Sequence, residues 1–234
     1  MSALPEKQTT SIATSTTDDV FIRDTSLCKE LIGKVTFTEL IYFQLLGRRP
    51  TRAQVAVLDA CLVTLMEHGL TPSALATRLV YSSAEEAMQA AVAAGLLAVG
   101  SRFVGTTEGC GELIERIVHA GDDGAAEARR IAVAHQSERK PIPGFGHPFH
   151  KPDDPRSPVL LELSREQGVA GAHVAAVLGD AGVPRSILRG ISLIARAAGL
   201  VGHVHEEQKK PAMRAIWEAA EAAVPYDGDA VPRP

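Results

Sequence analysis

The segment Pro143-Gly144-Phe145-Gly146-His147-Pro148 is the most distinctive in the chain, and Asp154-Pro155-Arg156 follows it closely. Two glycines around an aromatic residue give a loop whose backbone amides a ligand can approach. Arginine is the side chain suited to binding a carboxylate through two parallel hydrogen bonds. Each segment alone also fits a tight turn with a surface histidine, or a salt bridge at a helix start. Their occurrence in this order is more specific than either segment alone.

A second candidate site, Glu67-His68-Gly69, lies at the end of a predicted helix. Thr51 and Gln54 form a Thr-x-x-Gln capping box, which predicts that a helix begins there. Apolar residues follow at helical spacing, and Gly69 is expected to end the helix. A histidine at a helix C-terminus feels the negative end of the helix dipole and can present its ring to a cleft. Taken alone, a cap or a core histidine is the simpler interpretation.

Composition limits the function classes. The 234 residues contain 24 Lys and Arg against 28 Asp and Glu, a formal net charge of −4, which argues against a strongly electrostatic nucleic-acid binder. Hydrophobic residues make up 45%, enough to exclude disorder throughout the chain. Only 4% are aromatic and alanine is abundant, which favours closely packed helices. The three cysteines form no CxxC pair, so neither a disulfide framework nor a thiolate zinc site is indicated.

Targeting signals are weak. The N-terminus is polar, without the apolar core of a signal peptide, and residues 90–99 form the longest apolar stretch, too short to span a bilayer. We therefore expect a cytoplasmic protein that does not associate with membranes.

The remaining pattern predicts helices almost everywhere after residue 26. Ser83-x-x-Glu86 is a second capping box that predicts a helix over residues 84–99, whose alanines would let another helix approach closely. The glycines of residues 100–111 predict a break. Prolines and glycines exclude a helix over residues 141–158. Further helices are expected over residues 112–119, 124–137, 159–167, 170–178, 184–200 and 213–223.

In their order, these segments resemble the citrate synthase family over residues 20–215. The family pattern is a helix ending in His-x-x-x-x-Ser, an Ala/Gly-rich helix, a Gly-rich loop, then P-G-F-G-H and D-P-R. The matching residues are 68–73, 93–96, 100–111, 143–147 and 154–156, with an R-x-x-G-x-x-x-H segment at 196–203. The chain looks most similar to short citrate synthase-like and citryl-CoA lyase-like members.

The resemblance implies an all-α, multihelical, obligately dimeric fold with a large helical domain and a smaller lobe. The expected boundaries are a flexible lead-in (1–20), the large domain (21–138 and 200–224), the active-site loop with a reduced small lobe (139–199) and a loose tail (225–234).

The resemblance also implies roles for individual residues. His68 would hydrogen-bond the thioester carbonyl of acetyl-CoA, and His147 would polarise the ketone of oxaloacetate. Arg156 would bind a substrate carboxylate, assisted by Lys210, which stands before a proline where the family has arginine, and by Arg214. Lysine keeps the charge but loses the two-pronged geometry. The residues expected to bind CoA are Pro141, Ile142, Pro143, Gly144, Phe145 and Gly146.

At the position of the family's general base, this sequence departs from the family pattern. In the family an aspartate in an N-V-D-type segment, after the D-P-R helix, removes the methyl proton of acetyl-CoA. One alignment places Gly171 there and another places Ala170, whereas a third, which fits better, deletes the segment. Asp180 lies past the position. Removal of a general base typically lowers a rate by about 10²–10⁴-fold.

The predicted function is that of an acyltransferase or lyase of the citrate synthase or citryl-CoA lyase type, in the chemistry of the tricarboxylic acid cycle. Its substrates would be acetyl-CoA or CoA and oxaloacetate or citrate, with a CoA thioester as substrate and no permanently bound cofactor. The alternative is a catalytically weak homologue that binds CoA or a dicarboxylate. A helical scaffold would leave the P-G-F-G-H loop unexplained. The histidine pairs His147/His150 and His203/His205 lack further ligands at a recognised spacing, so no metal is expected.

Overall fold

The structure is a computed structural model that describes residues 9–100, 106–146, 150–151, 154–169, 178–179 and 182–227. Over these residues the chain is mostly helical, as predicted. The α-helices are α1 (Phe37–Leu46), α2 (Arg52–Met66), α3 (Pro72–Ser83), α4 (Met88–Leu97), α5 (Thr106–His119), α6 (Gly124–Ser137), α7 (Arg156–Glu166), α8 (Leu188–Lys209) and α9 (Met213–Ala223). The chain also contains a π-helical turn at Leu27–Leu31 and 3-10 turns at Gly121–Asp123 and Arg185–Ile187.

A small antiparallel sheet precedes the helices, which the all-α prediction did not include. Its strands are β1 (Ala13–Ser15), β2 (Val20–Ile22) and β3 (Thr25–Ser26), in the order β1-β2-β3. The carboxylate of Asp19, directly before β2, accepts a 2.5 Å hydrogen bond from the hydroxyl of Ser26 in β3. Strands of two or three residues are too short to show an alternating pattern. Part of the lead-in that the sequence predicted to be flexible is therefore paired.

The contacts within the chain define two units. Unit 1 comprises Met1–Cys61 and Gly146–Arg185, and unit 2 comprises Leu62–Phe145 and Ser186–Pro234. The breaks fall near residues 61, 145 and 185, whereas the sequence placed the smaller lobe at 139–199. The division into a large domain and a small lobe stays a prediction.

Unit 1 is built on α1 and the first part of α2. A capping box between Thr36 and Glu39 begins α1, and Gly47 ends it in the left-handed conformation, with φ 69°. The predicted capping box of α2 is confirmed, because Thr51 and Gln54 each accept a hydrogen bond from the other's backbone N–H. The core residues of this unit are buried apolar side chains, among them Leu31, Tyr42, Phe43, Val57, Leu58 and Leu178.

Unit 2 is built on the close packing of α3, α4 and α8. A side chain at Gly95 of α4 would place its Cβ 2.1 Å from Thr77 Oγ1 and 2.7 Å from Leu200 Cδ1, so only glycine fits there. The predicted close approach is confirmed, but the second capping box is wrong. The Ser83 hydroxyl donates to the Leu79 carbonyl, because Ser83 is already the last residue of α3, and α4 begins at Met88.

The glycine-rich segment also differs from its prediction. Helix α5 begins at Thr106, six residues before the predicted start, so Gly109 and Gly111 lie inside it. A Cβ at Gly109 would lie 3.1 Å from Pro143 Cβ, so the glycine gives Pro143 room against the helix. Close packing, and not a break, explains this glycine.

Helix α8 is the central helix of unit 2 and runs nine residues past its predicted end at Leu200. By length and composition the segment Arg185–Lys209 could span a membrane, but 44% of its apolar stretch of 18 residues is buried inside the protein. Four polar side chains of this helix are also buried, namely Ser192, Arg196, His203 and Glu207. A core helix passes the same test of length and composition, and these features are those of a core helix.

Candidate active site

His68 lies on the short turn between α2 and α3. Helix α2 ends at Met66, and Thr71 caps α3, where its Oγ1 accepts a hydrogen bond from the backbone of Ala74. Gly69 adopts φ +71°, a left-handed conformation that favours glycine. The side chain of His68 is half-buried. The E-H-G sequence thus ends one helix and turns the chain into the next within a few residues.

The side chain of Glu67 fixes this turn by hydrogen bonds to its backbone. Its Oε1 accepts hydrogen bonds from the backbone N–H groups of His68, at 2.7 Å, and Gly69, at 2.8 Å. The same oxygen lies 3.1 Å from His203 Nε2. Partial burial alone would raise the pKa of Glu67, but the hydrogen bonds from His68, His203 and Gly69 outweigh it and lower the pKa. The carboxylate is therefore ionised at neutral pH.

The tautomer of His203 follows from its two hydrogen-bond partners. Arg78 Nε lies 3.0 Å from His203 Nδ1. An arginine nitrogen only donates, so Nδ1 is the acceptor and carries no proton. The hydrogen of the neutral ring is then on Nε2, which donates to Glu67. His203 is thus held between a cation and a carboxylate in one tautomer.

Arg78 connects this histidine to the end of α8. Its Nη1 donates to Glu207 Oε2 over 2.7 Å, and its Nη2 pairs with Glu206. Arg78 and Glu207 are buried. Burial alone would lower the pKa of Arg78, but the two carboxylates outweigh it and raise the pKa. We call Glu67, His203, Arg78, Glu206 and Glu207 the Arg78 network.

The network continues into the connection between α8 and α9. Glu207 Oε1 accepts hydrogen bonds from the backbone N–H groups of Ala212, at 2.7 Å, and Met213, at 3.0 Å, and from the Ser82 hydroxyl. This connection carries Lys210, which is exposed and ends α8. One chain of hydrogen bonds therefore joins the His68 turn to the backbone next to Lys210.

Gly199 lets α8 pass close enough to make these contacts. A Cβ there would lie 2.2 Å from the Met66 carbonyl oxygen and 2.9 Å from Glu67 Oε2. His203 follows one helical turn later, on the same face. The R-x-x-G-x-x-x-H spacing thus has a structural cause: glycine gives the approach and histidine makes the contact.

The loop expected to bind CoA begins with a tight turn. The Phe145 N–H donates to the Ile142 carbonyl over 3.0 Å, and Gly144 has φ +85°. Proline at the second position and a left-handed glycine at the third are the features of a type II turn. The Pro141 carbonyl lies 3.0 Å from His135 Nδ1 on α6, which holds the start of the loop. Phe145 and Gly146 are exposed.

Arg156 begins α7 and is held by Asp154. Its Nε and Nη2 donate to the two carboxylate oxygens over 2.9 and 2.6 Å. The guanidinium group is the main cause of a strongly lowered pKa of Asp154. Asp154 thus fixes the orientation of Arg156 with one edge of the guanidinium, so a substrate carboxylate would need the other edge.

The two remaining predicted site residues are Arg214 and His147. The Arg214 side chain is 88% exposed and pairs with Glu218 one turn later on α9. His147 lies outside the described residues, as do residues 170–177 and 180–181, where the family aspartate was sought. Within the described ranges, no group of three or more His, Cys, Asp or Glu side chains could hold a metal ion. The assigned catalytic and binding roles stay predictions.

Sequence analysis missed the part played by Glu67 and Glu207. A signal was present for both, since Glu67 directly precedes His68 and Glu207 lies one turn after His203. A carboxylate beside a candidate histidine is a natural partner for the backbone of a turn or for a second histidine. The His203/His205 pair, considered for metal binding, contributes His203 to the network instead.

Comparison with protein families gives a match over most of the helical region. The family model for the citrate synthase C-terminal domain matches residues 33–175. The citrate synthase of Acidithiobacillus ferridurans is 26% identical over 129 residues, which are 55% of this chain and 32% of that protein. The chain spans about a third of the length of the curated relatives it matches.

Comparison with solved structures gives a match over the whole chain. The citryl-CoA lyase of Hydrogenobacter thermophilus aligns with a TM-score of 0.82 and 28% identity, and the alignment covers 97% of each chain. The ATP citrate lyase of Methanosaeta concilii, solved with (3S)-citryl-CoA, aligns with a TM-score of 0.70 over 97% of this chain and 42% of that one. At 17% identity, that second likeness concerns the fold alone.

Proposed function

Since the chain belongs to the citrate synthase family, we propose that it makes or breaks the carbon–carbon bond between an acetyl-CoA unit and oxaloacetate. The observation that carries this proposal is the alignment with a citryl-CoA lyase over 97% of both chains. The alignments with the curated relatives cover about a third of those proteins, whereas the alignment with the lyase covers 97% of both chains. Cleavage of citryl-CoA is therefore the direction to test first.

The reaction sets the chemical demands on the site. In cleavage, the hydroxyl group of citryl-CoA loses its proton, the carbon–carbon bond breaks and the ketone of oxaloacetate forms. The electron pair of that bond passes into the thioester as an enolate, which takes up a proton on carbon and becomes acetyl-CoA. Negative charge therefore develops on the thioester oxygen, where a fixed hydrogen-bond donor lowers the barrier.

His68 would supply that donor, and its turn supports the role. The ring sits on a backbone held by Glu67 and Gly69, so it would need little reorganisation during the reaction. His147 would act at the other oxygen, which is a hydroxyl in citryl-CoA and a ketone in oxaloacetate. Condensation would use the same two groups in reverse.

Binding would use the exposed loop and the cationic side chains. The adenine end of CoA would lie against the turn at Pro143 and Gly144. Arg156, with Lys210 and Arg214, would bind the carboxylates of oxaloacetate or citrate. Asp154 supports the part of Arg156, because its carboxylate fixes the orientation of the guanidinium. We also propose that CoA thioester enters as a substrate and that no cofactor is permanently bound.

A second candidate function is a homologue that binds CoA or a dicarboxylate with little turnover. The observation that favours it is the missing aspartate, since no carboxylate occurs among residues 168–179. Loss of a general base typically costs about 10²–10⁴-fold in rate. A slow enzyme and a binding protein therefore differ in turnover and not in affinity.

The test is to measure both directions with the purified chain. Thiol release from acetyl-CoA and oxaloacetate follows condensation, and reduction of oxaloacetate by malate dehydrogenase follows citryl-CoA cleavage. The exposed thiol of Cys28 would itself react with the thiol reagent. A parallel assay with Cys28→Ser shows how much of the signal comes from this thiol. We expect turnover that His147→Ala abolishes. CoA binding by calorimetry without turnover would favour the second candidate, and neither turnover nor binding would refute both.

Three further properties are proposals that rest on the family resemblance and on composition. We propose a homodimer, a cytoplasmic location and a place in the tricarboxylic acid cycle or a related citrate reaction. The exposed apolar side chains of Trp217, Val224 and Tyr226 support the dimer, because a second copy could cover them. Light scattering at several protein concentrations tests it.

A further inference from the structure

We infer that Glu67 is a positioning residue for His68, and that the Arg78 network ties the His68 turn to the chain segment that carries Lys210. The catalytic meaning of this inference rests on the proposed function, but its structural part does not. Glu67 would touch neither substrate nor reacting atoms. It would act through the backbone of His68.

The turn itself supplies the first argument. Two consecutive N–H groups, those of His68 and Gly69, point at one oxygen of Glu67. Gly69 then turns the chain with a left-handed φ of +71°, and the ring of His68 lies on a backbone whose N–H has a fixed acceptor. Without Glu67, the residues between the end of α2 and the cap of α3 would lose these two hydrogen bonds.

The carboxylate is held in turn by its surroundings. Its Oε1 accepts a third hydrogen bond, from His203, which Arg78 keeps in the tautomer that donates. Its Oε2 lies 2.9 Å from the position that a Cβ on Gly199 would take. Glu67 is therefore positioned from one side by its hydrogen bonds and from the other by α8.

The far end of the network makes the second argument. Glu207, paired with Arg78, accepts hydrogen bonds from the backbone N–H groups of Ala212 and Met213. Lys210 lies two residues before Ala212, so a change at Arg78 reaches the His68 turn and the Lys210 segment together. The network would thus keep a proposed thioester donor and a proposed carboxylate ligand in a constant relation.

The experiment combines an activity-independent readout with kinetics. Amide hydrogen exchange is measured for the peptide that contains His68 and Gly69 in the wild type, Glu67→Ala, Glu67→Gln and the control Glu85→Gln, an exposed glutamate after α3. Glutamine keeps an acceptor oxygen for the same N–H groups, whereas alanine has none. We expect about tenfold faster exchange in Glu67→Ala, and wild-type exchange within about threefold in Glu67→Gln and Glu85→Gln.

Citryl-CoA cleavage by the same four proteins provides the kinetic test. We expect kcat to fall about 10- to 100-fold in Glu67→Ala, with KM changed less than about threefold, because a displaced donor affects the transition state most. Glu67→Gln should recover most of the kcat. If Glu67→Ala does not fold, Ser82→Ala tests the far end of the network, where faster exchange of the Ala212 and Met213 amides is expected.

The outcomes separate the two proposals. Unchanged exchange at His68 and Gly69 in folded Glu67→Ala would overturn the positioning role, whatever the activity. Faster exchange with unchanged kcat would also overturn it. A wild type with no turnover would refute the proposed function, while the exchange data would still decide whether Glu67 holds the turn.

Discussion

Glu67 and His203 are 136 positions apart in the sequence, yet Glu67 Oε1 and His203 Nε2 lie 3.1 Å apart. His203 donates in this pair, because its other nitrogen accepts from Arg78. The contact joins the turn of a predicted catalytic histidine to the central helix of unit 2. It depends on a glycine one turn before His203, and that dependence gives the first prediction.

Gly199→Ala should destabilise the protein, whereas alanine normally stabilises a helix. The new Cβ would lie 2.2 Å from the Met66 carbonyl oxygen, and relief of such overpacking costs about 1–3 kcal/mol. Gly202→Ala is the matched control on the same helix, since no atom lies within 4 Å of its Cβ position. That variant should gain about 0.5–1 kcal/mol. Urea unfolding followed by circular dichroism measures both, and equal effects would refute the close approach.

Arg78→Ala should cost about 3–5 kcal/mol, because it leaves the buried carboxylate of Glu207 without its partner. The comparison is Arg165→Ala, which removes an exposed pair with Glu162 and should change the free energy of unfolding by less than about 1 kcal/mol. Chemical denaturation of the two variants gives the values. A loss below about 1 kcal/mol in Arg78→Ala would show that the Arg78 network does not stabilise the fold.

Gly144 has a left-handed conformation, which alanine adopts only at a cost in free energy. Gly144→Ala should therefore disturb the turn and weaken the binding of CoA on the order of tenfold. Gly100→Ala serves as the comparison, because Gly100 has no positive φ and nothing lies within 4 Å of its Cβ position. Isothermal calorimetry with CoA measures both affinities. Equal affinities for Gly144→Ala and the wild type would exclude the type II turn from the CoA site.

Asp19→Asn should lower stability at neutral pH but not in acid. The hydrogen bond from Ser26 is the main cause of a pKa lowered from 3.8 to about 2. A lowered pKa in the folded state means that the ionised group stabilises the fold above pH 4 and loses that effect as the pH falls toward 2. Urea unfolding at pH 7, 4 and 3 should show the difference from wild type shrinking, with Asp18→Asn as a control. A difference that does not depend on pH would contradict this.

Much of the helical fold was predictable because its signals are local. The bounds of α6 and α9 and the capping box of α2 agree with the prediction, since glycine, proline and capping residues mark them. The errors have different causes. The strands at residues 13–26 are too short to show a period, Ser83 bonds back to Leu79 within its own helix, and Gly109 packs against the distant Pro143.

The candidate site was predictable only in part. Sequence motifs made His68, the 141–146 loop and Arg156 candidates, because these residue types occur in a recognisable order. The partners Glu67, Arg78 and Glu207 were not assigned roles, because Glu67 and Arg78 contact His203, and Glu207 contacts Arg78, over more than 120 positions of the chain. A motif shows which residues occur together, whereas tertiary contacts determine what holds them.

Release of oxaloacetate from citryl-CoA, compared between the wild type and His68→Ala, tests the proposed reaction most directly. His68→Ala removes the proposed donor to the thioester oxygen, and loss of such a donor typically costs about 10²–10³-fold in kcat. We predict measurable turnover in the wild type, a loss of that size in the variant and unchanged affinity for CoA. Equal oxaloacetate release by both proteins, or none from folded wild type, would contradict the account.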